Sequence, residues 1–383
     1  MRVCLATLRH EFRNSGEIES VVNLQDYLRK NGIMADILTP KGFYVASMPE
    51  SRSGFFWGKA CDLWRLYRVL QRHCAGYDII HLFLPFPAFS IYGDFIKHKL
   101  RTKVVITFES CVVTSEGAGR ARFFEYEPFS NLLRLCINNR LLSLMSCHDA
   151  DSYVVSSRYQ KEQLAYENIH VIPNLTSTKR FCRGEKHEAR KLFGFADDVF
   201  VISYIGHALA IKGIADLLLA FSLLTKDNGN IRLAVAFSGI GRPDKVRALV
   251  RKLGIVDKVF FFGSVSVSEF LTASDLLVVP YRYSFGTNWL PSILLEGFSV
   301  GIPILTSDLA PLRELNETRE TLFFARAGDY RHLASMINKL TKNCEKLETV
   351  VRNQKELMYT ILNPDKLVGR FIGMYNMVQD EKN

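Results

Sequence analysis

The stretch S-F-G-T-N-W-L-P-S-I-L-L-E-G-F-S-V-G-I-P-I-L-T-S-D, Ser284 to Asp308, reads as a loop, a helix and a strand in quick succession. Ser284–Asn288 has turn chemistry, a glycine among small polar residues. Pro291 suits the first turn of a helix, where a missing N–H costs nothing. Ile293, Leu294 and Leu295 begin an apolar run that Glu296 interrupts. Gly301 is placed to end the helix, with Pro303 beyond it, and Ile302–Leu305 reads as a short buried strand. A carboxylate inside an apolar helix needs a partner, because burying it alone is costly. A ligand meets that need, or else Glu296 sits in a structural ion pair or on a partly exposed helix face.

Upstream, the same alternation continues. Val199–Tyr204, Ile231–Phe237, Val259–Phe262 and Leu276–Pro280 read as strands, with helices predicted over Ile214–Leu224, Asp244–Leu253 and Val267–Ala273. The first strand leads into a loop, Gly206–Gly213, and the second ends at Ser238-Gly239-Ile240-Gly241. In the first half, strands are predicted at Val3–Leu8, Met34–Leu38, Asp78–Leu84, Val104–Phe108, Ser152–Val155 and His170–Ile172, with an amphipathic helix over Ile18–Lys30. Strand–helix–strand alternation implies parallel sheets with crossover connections. The fold class is therefore α/β, with two doubly wound, Rossmann-like domains facing a central cleft. The polar piece Pro173–Glu188 suits a linker. The expected boundaries are 1–178, 179–362, and a terminal helix in 363–383 that crosses back to the first domain. In such sheets ligands meet the carboxyl ends of the strands.

The chain has 383 residues, of which 48% are hydrophobic, enough for two cores. No apolar run is long enough to span a membrane, and the N-terminus is too short an apolar run for a signal peptide. Eight scattered cysteines form no C-x-x-C pair, which points away from a zinc site or disulfide framework and toward free thiols in a cytoplasmic setting. A net charge of +10 calls for an anionic partner: a membrane surface, nucleic acid, or a phosphorylated substrate. No nucleic-acid recognition motif accompanies the charge. Ser51–His73 interleaves aromatic and basic residues, among them Arg52, Trp57, Lys59, Trp64, Arg65, Arg68 and Arg72, and Lys97, Lys99, Arg101 and Lys103 form a second basic cluster. A basic helix with an aromatic face suits peripheral binding to the anionic inner face of a membrane; the alternative is a helix packed by its aromatic face with a solvated basic back.

The second half resembles the donor-binding domain of family 4 glycosyltransferases of the GT-B fold. The matching pieces stand in order: Tyr204-Ile205-Gly206-His207…Lys212-Gly213, Phe237-Ser238-Gly239-Ile240-Gly241, Val259-Phe260-Phe261-Phe262-Gly263-Ser264-Val265, Ala273-Ser274-Asp275-Leu276-Leu277-Val278-Val279-Pro280, and the opening stretch, similar to the family's E-x7-E element. In the first half Ala150–Ser157 and Val171-Ile172-Pro173-Asn174 also fit. The resemblance implies a nucleotide-sugar donor. Lys212 and the helix start at Pro291 would meet its diphosphate. Glu296 would accept from the ribose hydroxyls, and Gly206, Gly239, Ser264, Val265, Leu290 and Gly16 would line the donor site.

Five positions depart from the family pattern, one of them Leu175 in place of a Gly after Pro173-Asn174. Asn288 stands where the family has its first Glu, Trp289 replaces a Gly, His207 an Arg, and Glu109 a His. An amide hydrogen-bonds without supplying charge, Trp289 narrows the sugar pocket or stacks on it, and a protonated His207 would partly replace the arginine. The resemblance further implies metal-independent transfer with retention from a UDP- or GDP-sugar to a lipid-linked or glycan acceptor. No cofactor is expected, and Lys212, His207, Glu109 and Asn288 are the catalytic candidates. The same departures fit a catalytically weak sugar-nucleotide-binding subunit of a partner enzyme, and the same fold serves an epimerase.

Overall fold

Val3-Cys4-Leu5-Ala6 is apolar on both faces, and all four residues are fully buried. That is the pattern of a central parallel strand covered by helices on both sides. A computed structural model describes residues 1–8, 16–44, 57–84, 90–109, 149–176, 183–227, 229–284 and 290–380. Among them, β1 (Arg2–Thr7), β2 (Met34–Thr39), β3 (Gly42–Phe43), β4 (Ile79–Leu84), β5 (Lys103–Phe108), β6 (Ser152–Val155) and β7 (Ile169–Val171) form one sheet, ordered β3-β2-β1-β4-β5-β6-β7. Its pairings are parallel except the β2–β3 hairpin. A second sheet holds β8 (Phe200–Ala208), β9 (Ile231–Gly241), β10 (Val259–Phe262), β11 (Leu276–Val279), β12 (Ile304–Ser307) and β13 (Phe323–Ala325), all parallel, in the order β10-β9-β8-β11-β12-β13. In both sheets the order reverses beside the first strand, which places switch points at β1/β4 and β8/β11.

The N-terminal ends of the sheets share one device. Each strand's leading N–H would be left without a partner if its neighbour started too late. Asp78 Oδ2 takes the N–H of Arg2 at 2.7 Å, Asp151 Oδ2 that of Val104 at 2.8 Å, and Asp275 Oδ2 that of Val201 at 2.7 Å. Arg190 and Lys186 neutralise Asp275, and Lys97 and Lys103 neutralise Asp151. The second basic cluster is therefore partly a structural one.

The structure differs from the sequence expectation in several places. A helix, Lys186–Phe193, starts within the last residues of the presumed linker and runs beyond it, with Ala189 and Arg190 buried. It is short and charged, about two turns, so periodicity does not reveal it. The strand β13 was not expected, and β9 runs on through Gly241 rather than turning at Gly239. Lys186–Phe193 and β8 aside, the helices Gly16–Lys30, Ile214–Asp227 and Pro243–Leu253 lie within a few residues of their expected positions.

The terminal helix Pro364–Asp380 packs Leu367, Val368, Phe371, Met374, Tyr375 and Val378 into the core of the first sheet. There His81, fully buried on β4, is held between Tyr375 Oη at 2.7 Å and Thr107 Oγ1 at 2.6 Å. Burial holds its imidazole down to about 3. An unfolded histidine takes a proton near 6.5, whereas this one does not, so unfolding takes up a proton throughout the interval between the two values. The melting temperature is expected to fall as pH drops from about 6.5 toward 4, and to fall less steeply in His81→Gln. Thermal melts across that range measure the difference; equal slopes would show that His81 does not titrate on unfolding.

Candidate active site

The carboxyl ends of β8 and β11 face one another across the second sheet's switch point, and the sequence places two different loops there. After β8, a 3-10 turn, Ala210–Lys212, leads through Gly213 into the helix Ile214–Asp227. After β11 come Pro280, Tyr281, Arg282, Tyr283 and Ser284, and then the helix Ser292–Val300. Gly213 has φ +74°, and a Cβ there would lie 1.7 Å from the Pro280 carbonyl oxygen. Only glycine lets the two loops approach this closely. The Arg282 N–H donates to Ile211 O at 3.0 Å, and its guanidinium grips Asp216 through Nε–Oδ2 at 2.6 Å and Nη2–Oδ1 at 2.7 Å. Both side chains are buried.

This scaffold brings together residues that are far apart in the chain. The Lys212 ammonium lies 5.0 Å from the centroid of the Tyr281 ring. Burial and the Glu296 carboxylate push the Tyr281 phenol up, so Glu296 acts on that same residue from the helix behind it. Glu296 is buried among Ile293, Leu294, Leu295 and Phe298 on the helix Ser292–Val300. Pro291 is the residue before that helix, with ψ 135°, rather than part of its first turn, and Leu290 beside it is buried. Gly206 and His207 lie within β8. Burial, with Lys212 second, holds His207 down to about 4. The imidazole is therefore neutral at neutral pH, and it does not replace an arginine's charge here.

The other expected residues fall around this centre. β8 and β9 pair irregularly between Gly206 and Ala208, and Ala208 sits opposite Gly241. A Cβ at Gly241 would lie 2.3 Å from Ala208 O, so the Ser238–Gly241 glycines carry a bulged strand end past the β8 loop. Gly239 lies within that strand. Ser264 and Val265 follow β10, Ser264 exposed and Val265 packed against the core. In the first sheet, Gly16 begins the helix after β1, and Glu109 directly follows β5 with its N–H on Leu84 O at 3.0 Å. Asn288 and Trp289 lie outside the described residues. Among the described residues, no group of three His, Cys, Asp or Glu side chains could hold a metal ion. Sequence reading missed Asp216, Tyr281 and Arg282. The signal was an arginine between two tyrosines after a buried strand, and an acid in the first turn of the helix that follows β8.

Two family models divide the chain between its sheets: Glycosyltransferase Family 4 matches residues 19–180, and Glycosyl transferases group 1 matches residues 185–357. The chain belongs to the family 4 glycosyltransferases. It is 29% identical over 182 residues, 43% of this chain and 42% of the relative, to a D-inositol 3-phosphate glycosyltransferase of Actinosynnema mirum. The chain spans about half the length of the curated relatives it matches first. Among solved structures, sucrose-phosphate synthase from Thermosynechococcus elongatus superposes with a TM-score of 0.77 at 17% identity, covering 99% of each chain. Anabaena HepE in complex with UDP-glucose superposes with a TM-score of 0.74 at 14% identity, covering 98% of this chain and 100% of that one. The fold of this family 4 member is GT-B.

The buried Arg282–Asp216 pair predicts the stability of the site. Asp216→Ala leaves a buried guanidinium without its counter-charge and is expected to cost about 3–5 kcal/mol. The double variant Asp216→Leu/Arg282→Met should recover most of that loss. Chemical denaturation of the two variants distinguishes a structural pair from an inconsequential one, for which both would match the wild type.

Proposed function

We propose that this protein is a retaining, metal-independent glycosyltransferase that moves a sugar from a UDP- or GDP-sugar onto a lipid-linked or glycan acceptor. The observation that carries this reading is the convergence of Lys212 and Glu296 on Tyr281 at the β8/β11 switch point. A cation and a carboxylate at one strand end match the two ends of a nucleoside diphosphate: phosphate and ribose. HepE, a neighbour in fold, is seen with UDP-glucose.

In this reading Lys212 and the N–H groups of the helix after Pro291 take the diphosphate, and their positive field stabilises it as it departs. Neutral His207 adds a hydrogen bond and no charge. Glu296 accepts from the ribose hydroxyls. Ser264 and Val265 meet the base with their backbone, and Gly16 brings the first domain's loop against the diphosphate. Leu290, Asn288 and Trp289 shape the sugar pocket. Glu109, at the end of β5, orients the sugar or the acceptor. The departing phosphate takes the acceptor's proton, so no metal or separate base is required. Closure of the two domains excludes water.

The helix Trp57–His73 supports a peripheral membrane contact. Leu66 and Leu70 are buried, while Trp64, Arg65, Arg68 and Arg72 are exposed along the opposite side. Trp64 is 58% exposed and leans on Tyr67, so the aromatic residue shares the basic face rather than the core. That is the face an anionic bilayer would engage. Arg52 lies outside the described residues, and among the described residues no helix is long and apolar enough to cross a membrane.

Two experiments test these roles. Glu296→Ala and Lys212→Ala are each expected to weaken binding of the matching nucleotide sugar roughly ten- to hundredfold, the loss of one charge-assisted contact. Calorimetric titration with a panel of UDP- and GDP-sugars reads this; unchanged affinity removes the assigned role. Arg65→Glu/Arg68→Glu/Arg72→Glu is expected to release the protein from anionic liposomes in a sedimentation assay. Retained binding would place the membrane contact elsewhere.

A further inference from the structure

A second group of cations lies at the far edge of the first sheet. Among the described residues β7 is an edge strand, bonded to β6 on one side. Its outward carbonyls at Ile169 and Val171 are taken by side chains: Lys161 Nζ donates to Ile169 O at 3.2 Å, and Arg370 Nη2 donates to Val171 O. The two cations thus flank His170 from different elements, the helix Arg158–Glu162 and the terminal helix Pro364–Asp380. Together with Arg158 they line an open cavity of ≈ 750 Å³, floored by Leu164 and Tyr166.

The charge in this cavity is not balanced. Among the described residues, neither Lys161 nor Arg370 is ion-paired, and Glu162 is the one acid on the wall. Each cation uses one donor on a carbonyl and has others to give, since an ammonium offers three and a guanidinium five. The histidine between them reports the local field: burial, then Lys161, then Arg370 hold His170 below its ordinary value. Two cations on one cavity wall, Lys161 and Arg370, without ion-pair partners among the described residues, are what a dianionic ligand satisfies.

We propose that this cavity is a second ligand site, which holds the phosphate of a phosphate monoester between Lys161 and Arg370 and rests the rest of the ligand on Leu164 and Tyr166. It is separate from the donor site. It sits on the other sheet, and β7 is three strands from that sheet's own switch point, roughly 14 Å. Arg158 gives the site a reach across the molecule. Its backbone N–H donates to Glu314 Oε2 at 3.0 Å, that of Tyr159 donates to Glu314 Oε1 at 2.5 Å, and its guanidinium pairs with Glu317. Glu314 and Glu317 belong to the half that carries the donor site. A phosphate that draws Arg158 into the cavity competes with Glu317 for it, so occupancy alters the clasp between the halves.

The test fills the donor site with saturating UDP and titrates glucose 6-phosphate by calorimetry into the wild type, Lys212→Ala and Lys161→Gln/Arg370→Gln. A parallel arm sediments the same proteins with phosphatidylcholine vesicles carrying phosphatidic acid, against phosphatidylglycerol vesicles of equal surface charge. Wild type and Lys212→Ala should behave alike, and Lys161→Gln/Arg370→Gln should bind at least about tenfold more weakly, the loss of charge-assisted contacts. A loss in the glucose 6-phosphate arm identifies a soluble ligand. A loss confined to phosphatidic acid vesicles identifies a lipid headgroup. Affinity unchanged in the double variant in both arms, or no binding by the wild type in either, overturns the proposal. Circular dichroism of the double variant, expected to match the wild type because Lys161 is exposed and Arg370 sits at the surface, confirms that the comparison is between folded proteins.

Discussion

The buried grip of Arg282 on Asp216 is the constraint on which the second half's site depends. Two loops leave adjacent strands at the switch point, and nothing in the sheet's own hydrogen bonding sets their distance. The bidentate ion pair, the Arg282 N–H on Ile211 O, and Gly213 against Pro280 O set it together. Lys212 lies next to Gly213, and Tyr281 next to Arg282. The cation and the aromatic ring are therefore positioned by their immediate neighbours. A buried ion pair is weak evidence of net stability, but its geometry is specific, because a planar guanidinium fits a carboxylate in one way.

Charge in this protein is sorted by depth. At the amino ends of the strands, Asp78, Asp151 and Asp275 spend their charge on neighbouring N–H groups, and lysines and arginines balance two of them. At the carboxyl ends, Lys212 and Glu296 both act on Tyr281, with His207 held neutral by burial and by the nearby ammonium. On the surface, Arg65, Arg68 and Arg72 stand in water beside Trp64. The positive charge thus divides into groups that balance strand-end carboxylates, a group at the β8/β11 switch point and an exposed surface face.

The terminal helix ties the ends of the chain together. Tyr375 reaches His81, which stacks on Phe83 at 4.4 Å between ring centroids, and Arg370 reaches the edge of β7. The first sheet is therefore completed by residues that follow the second. The clasp of Arg158 and Tyr159 on Glu314 and Glu317 links the halves at another point. The terminal helix is fixed to the first half, so the Arg158–Glu314/Glu317 clasp is the contact that movement of one half against the other would strain.

Much of this was legible in the order of residues. Strand–helix alternation, with strands apolar on both faces, specifies parallel sheets, and the β-rich runs around Val3 and Leu276 needed no partner to be recognised. Gly206-His207…Lys212-Gly213 and the Leu290–Gly301 segment were matched to donor loops by their resemblance to the family, while the turn at Gly213 and the helix end at Gly301 are encoded within a few residues. What the sequence could not provide was contact at long separation. Asp216 and Arg282 meet across 66 positions, His81 and Tyr375 across 294. Neither pair has a local signature, since an acid in a helix's first turn is ordinary until something cationic is folded onto it. The protonation of His207 was equally out of reach, because it follows from burial and from Lys212, and a side chain acquires its solvation and its neighbours only when the chain has folded.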